Sequence, residues 1–164
     1  MRASLSLLTQ ISYSNPVAVA RPAVKRVVAL CSAPDCQELA VKLLCNLVTE
    51  DASREQVVKS DGIFGVFHCL VHSQAATLRY ALACFLNLTF HPQVANQICV
   101  NGGLAHLLGA LQRSATDSQA TVYGIKALSN LVQTSPSLSI VAAEFGASEQ
   151  LLSTLQTAPQ AVAL

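Results

Sequence analysis

The sequence predicts an all-α fold, a solenoid of about three to four repeats with three helices in each. An asparagine recurs in an apolar helical setting at Asn46, Asn87 and Asn130, 41 and 43 residues apart. A glycine follows each of them sixteen residues later, at Gly62, Gly103 and Gly146. Between these landmarks apolar residues return at spacings of three and four, the period of a helix with one buried face. Self-similarity at a period of about forty residues marks a chain whose units bury their faces only against one another.

The elements follow in order within one domain spanning 1–164: a partial repeat at 1–33, then units at about 34–74, 75–117 and 118–157, the last incomplete at its C-terminal end. The asparagine segments align as AVKLLCNL from Ala40, ALACFLNL from Ala81 and GIKALSNL from Gly124. Ala40, Ala81 and Gly124 are small enough to let another helix pack close. Val41, Leu44, Leu47 and their equivalents define the deep face of each long third helix. After the first of these, SREQ from Ser53 reads as a capping box that opens a short helix, and Pro92 and Pro136 suit the first turn of the corresponding helices. Each register glycine tolerates the left-handed conformation that ends a helix, so the short helix stops there and a second one starts. IFGVFHCLVH, LAHLLGALQR and ASEQLLSTLQ are those second helices. The two extra residues of the longer spacing fit in the loop RSATDS before the third asparagine helix, where insertion costs little.

With 52% hydrophobic and 12% charged residues and a mean hydropathy of +0.45, the chain is too apolar to be disordered. It is also poor in surface charge, which points to apolar surface reserved for a partner. A net charge of +1 supplies no basic field for nucleic acid. The longest apolar runs are broken well short of a membrane span, and the N-terminus lacks the uninterrupted apolar stretch of a secretory signal. Absence of acidic residues before Asp35 together with abundant serine resembles a mitochondrial transit peptide in composition, although Arg2 is the only basic residue before Arg21. Cys31, Cys36, Cys45, Cys69, Cys84 and Cys99 lack zinc-clamp spacing and read as reduced core thiols. The sequon at Asn87 matters only outside the cytosol. These features set a cytoplasmic expectation, with nucleus and mitochondrion as alternatives.

REQVVKSDGIFGVFHCLVHS with ALACFLNL, and VANQICVNGGLAHLLGALQRS with GIKALSNL, resemble the armadillo repeat, over about residues 21–156. RPAVKRVVALCS looks like the second helix of a preceding incomplete unit. The resemblance implies a right-handed armadillo-type solenoid whose third helices line a concave groove, with Asn46, Asn87 and Asn130 as a ladder that grips an extended peptide. A carboxamide suits that role because it both donates and accepts. The alternative role, bonding repeat to repeat, stays open. Lys42, Ala83 and Lys126 stand four before each asparagine, where the importin-alpha branch carries tryptophan; this chain has no tryptophan, which argues against a peptide-signal transport receptor, the runner-up reading. With Arg79, eight before Asn87, the groove reads as mildly basic and suited to an acidic or phosphorylated segment. Glu38 and Lys42 also read as a plain helical ion pair worth about 0.2–0.5 kcal/mol. Tyr80 and Tyr123 are candidate anchors, or partly buried core tyrosines.

No catalytic residue, cofactor or metal is expected. The histidines show no triad spacing; HCLVH from His68 places two of them four apart on a helix, with no third ligand near in sequence. NGG is a helix turn rather than a phosphate loop. Both ends of the chain are apolar where a solenoid wants polar caps. The expectation is a non-catalytic scaffold or adaptor that meets a protein or extended peptide along its groove and other subunits at its ends.

Overall fold

The structure is a computed structural model describing residues 2–14 and 16–135. The expectations at Pro136 and Gly146, and the second helix after Gly146, lie outside those residues. Among the described residues all regular structure is α-helical: α1 (Arg2–Ser14), α2 (Pro16–Leu30), α3 (Gln37–Leu47), α4 (Asp51–Lys59), α5 (Gly62–His72), α6 (Ala75–Thr89), α7 (Pro92–Val100), α8 (Gly103–Arg113) and α9 (Ser118–Thr134). Among them no helix is long and apolar enough to cross a membrane.

The asparagine helices pack side by side. α6 lies between α3 and α9, and α3 packs in turn on α1. A second row, α2, α5 and α8, backs the first, with α5 on α6 and α8 on α9, while α4 and α7 fill the junctions. α3 starts at Gln37, and α6 and α9 start at Ala75 and Ser118. Residues 1–33 hold more than the expected second helix: α1 stands against α3 as α3 stands against α6.

The register positions explain this packing. Val41, Leu44 and Leu47, and likewise Leu82, Phe85 and Leu88, are fully buried; in α9 Leu128 and Leu131 are buried and Ile125 is half-buried. Burying such a side chain contributes about 1.5–3 kcal/mol. Ala40 and Ala81 are fully buried, and a Cβ on Gly124 would sit 2.5 Å from Leu111 Cδ2, so the small residue at this position is a steric requirement of the row behind. The loop before α6 is two residues shorter than the loop before α9, where the longer period was expected to fall.

Two local expectations are corrected. In the two described glycine turns the left-handed residue precedes the register glycine: Asp61 has φ 60° and Gly102 has φ 77°. Gly62 and Gly103 answer instead to crowding, since a Cβ would lie 2.6 Å from Val57 O in the first turn and 2.8 Å from Ile98 O in the second. The capping box at Ser53 does not form. α4 starts at Asp51 with Glu50 in extended conformation ahead of it, which places an acidic residue in the first turn, where the helix dipole favours it. Ser53 is therefore inside the helix, buried, with its hydroxyl unpaired. Beside it, Arg54 donates from Nε to Val48 O at 2.8 Å and from Nη2 to Thr49 O at 3.2 Å, closing the end of α3. Pro92 does occupy the first turn of α7.

Candidate functional site

A cleft of about 310 Å³ opens on the asparagine-helix row, lined by Lys42, Cys45 and Asn46 of α3, Arg79, Tyr80 and Ala83 of α6, and Gln119 and Tyr123 of α9. Five of the eight expected groove residues meet here: Lys42, Asn46, Arg79, Tyr80 and Tyr123. Asn87, Asn130 and Lys126 do not line it. Counted from each helix's own asparagine, the lining runs from minus four to zero on α3, minus eight to minus four on α6, and minus eleven to minus seven on α9. The cleft thus crosses the row obliquely, stepping about one turn per helix, so equal register positions do not share it.

The charges in the cleft are already paired. Lys42 Nζ contacts Glu38 Oε1 at 2.7 Å and lies 4.3 Å from the centre of the Tyr80 ring. The Glu38 carboxylate, with a smaller contribution from Tyr80, raises the Lys42 ammonium above its ordinary value against the opposing effect of burial. Arg79 Nε donates to Asp117 Oδ2 at 2.7 Å, joining α6 to the start of α9. Burial works to raise the Asp117 carboxyl, but the Ala120 N–H, 3.1 Å from Oδ1, and the Arg79 guanidinium together hold it below its usual value. Each cation facing the cleft that was read as mildly basic thus has its own carboxylate. Lys126 is exposed and makes no ion pair with a described residue.

The three asparagines, all half-buried, share one action. Asn46 Nδ2 donates to Ser12 Oγ at 2.9 Å and to Thr9 O at 3.5 Å on α1. Asn87 Nδ2 reaches Cys45 O at 3.5 Å and Cys45 Sγ at 3.8 Å on α3. Asn130 Nδ2 donates to Thr89 Oγ1 at 3.0 Å on α6. Each carboxamide therefore spends a donor on the preceding helix of its row, while its oxygen accepts from no described residue. Of the two roles left open by the sequence, the bridge between neighbouring helices is the one the geometry displays.

Tyr80 and Tyr123 are half-buried against the core and also line the cleft, so the two readings of these residues coexist. The Tyr123 hydroxyl accepts from Gln119 Nε2 at 2.9 Å. Gln119 and Cys45 were not singled out as groove residues. Gln119 could have been found as the residue one helical turn before Tyr123. Burial pushes the Cys45 thiol up to about 11, so it stays protonated and inert at neutral pH. A larger cleft of about 380 Å³ between α1 and α2 is lined mainly by Leu5, Leu8, Ala23, Val27 and Leu30. It gathers neither carboxamides nor aromatic residues.

Compared with known proteins, the chain matches no family model, no curated protein and no solved structure.

Proposed function

We propose that this chain is an armadillo-type solenoid acting as a non-catalytic protein-interaction adaptor, and that it holds an extended segment of a partner protein across the oblique cleft. The observation that carries this reading is the convergence of three successive asparagine helices on one opening where Asn46, Tyr80 and Tyr123 meet. Rings with a polar tip offer contact area without a large loss of freedom, and the Asn46 carboxamide oxygen can accept from a backbone N–H whatever the side chain. At about 310 Å³ the opening is near the lower end of small-molecule pockets, the size for one or two side chains of a longer segment. Pairing of Lys42 with Glu38 and of Arg79 with Asp117 favours a neutral segment over an acidic or phosphorylated one, whose negative charge the two neighbouring carboxylates oppose. Low overall charge and the exposed side chains of Leu7, Phe64, Phe90 and Val100 support a place in a larger assembly.

The test is a crosslinking pull-down from the native cell with the wild-type chain beside an Asn46→Ala, Tyr123→Ala variant of matched helicity. Loss of the same partners from the variant supports recognition in the cleft. Retention of every partner, crosslinked through helices away from the cleft, refutes it.

A further inference from the structure

We propose that His68 and His72 form a two-imidazole site for a borderline divalent transition-metal ion on the outward side of α5. The inference is independent of the cleft, which belongs to the other row of helices. The two residues are one turn apart on one face of α5, and their rings lie 4.6 Å centre to centre at 43°. His72 is exposed and His68 half-buried, so the pair is open to solvent. Neither ring hydrogen-bonds to a described residue, which leaves their nitrogen lone pairs uncommitted.

Distance supports shared coordination. Two imidazole nitrogens bound at about 2.0–2.1 Å to one tetrahedral ion lie about 3.3 Å apart, and a ring nitrogen sits about 1 Å from its ring centre. Ring centres 4.6 Å apart are close to the roughly 5 Å those lengths give for two rings turned toward one ion. Imidazole at helical spacing of four is a proven donor pair for such ions, and affinity among them rises toward nickel and copper. The repeat itself does not demand histidine here. The same register positions on α8 are Gly109 and Arg113, and Arg113 is used differently, donating to the carbonyls of Leu70 and Ser73. That commitment ties the nearest cation of α8 to the last turn of α5. No described group of three or more histidine, cysteine or acidic side chains completes the coordination. Two ligands leave the other positions to water or to donors of a docking partner, beside the exposed Phe64 and Val71 of the same helix.

Ni²⁺ is the probe, because it favours imidazole and does not oxidise thiols. Calorimetric titration of the full chain should show one equivalent bound, and ring-nitrogen NMR should show broadening of His68 and His72 while His91 and His106 keep their signals. His68→Ala and His72→Ala should each fall to the binding of the double variant, and His68→Asn should do the same with the helical signal unchanged. A Cys45→Ser, Cys99→Ser variant should bind as the wild type does. No Ni²⁺ uptake by the wild type, wild-type affinity in either single histidine variant, or loss of binding with the two thiols overturns the proposal.

Discussion

Asn130→Ala and Thr89→Val, alone and combined, decide whether the asparagine amides staple neighbouring helices. Asn130 Nδ2 donates to Thr89 Oγ1 at 3.0 Å, and Thr89 is 3% exposed, so the bond is well formed and shielded on one side. A neutral hydrogen bond contributes about 0.5–1.5 kcal/mol net, and Asn130→Ala is expected to destabilise by about 1 kcal/mol. Thr89→Val should cost more, because its hydroxyl also donates to Leu86 O at 2.7 Å. The double-mutant cycle removes that second bond from the comparison and leaves a coupling of about 0.5–1.5 kcal/mol. Urea unfolding followed by far-UV circular dichroism measures it, provided all four chains give the same denaturant slope. Asn46→Ala, which breaks a 2.9 Å bond to Ser12, should match Asn130→Ala. Asn87→Ala should be mildest, since its contacts to Cys45 are 3.5 and 3.8 Å. A coupling within the roughly 0.3–0.5 kcal/mol scatter of independent sites refutes the bridging role.

Gly103→Ala places a methyl 2.8 Å from Ile98 O and should destabilise by about 1–3 kcal/mol, whereas Gly109→Ala, in open space within α8, should stabilise by about 0.4–1 kcal/mol; urea midpoints separate the two. Ser53→Ala removes a buried, unpaired hydroxyl and should be neutral or stabilising, against a loss of about 1 kcal/mol if the serine capped α4. Alkaline stability should fall because folding raises the thiols: Cys31 through its hydrogen bond with Cys69 and then burial, Cys84 through burial, and Cys45 up to about 11 through burial. Below the ordinary thiol value near about 8.5 both states hold their protons and stability is flat; above it the unfolded chain releases protons that the folded chain keeps. Urea midpoints measured from neutral pH upward should show this decline, and it should be shallower in Cys45→Ser.

The helices were legible because their signals are redundant: the same spacing, small residue and glycine recur in the sequence, and burial of Leu44, Phe85 and Leu128 follows from periodicity alone. What escaped the sequence was set by contacts between segments distant along the chain. Ser53 has the local pattern of a cap, yet the cap position of α4 is Glu50, three residues earlier, and Arg54 turns part of its guanidinium to the end of α3. Glycine at 62 and 103 signalled a turn correctly, but which residue turns left-handed depends on how closely the next helix approaches Val57 or Ile98. Arg79 looked like a free cation since its partner, Asp117, is 38 residues away. α1 was invisible as a member of the asparagine-helix row because its contact with Asn46 comes from Thr9 and Ser12, residues outside the repeat register.

These corrections bound what the cleft can do. Only Asn46 of the three asparagines lines it, and one carboxamide bond of about 0.5–1.5 kcal/mol is far below the roughly 8.2 kcal/mol of micromolar affinity. The cations add little, because Glu38 and Asp117 cancel their charge. Apolar burial must therefore dominate, and at about 25 cal/mol per Å² the shortfall corresponds to roughly 300 Å² before any cost of association, estimated at about 4 kcal/mol or more, is met. An opening of about 310 Å³ anchored by two half-buried tyrosines cannot supply that area by itself. A partner that binds at physiological concentrations must continue beyond the cleft along the helix row, so tyrosine truncation should weaken a long segment and abolish binding of a short one.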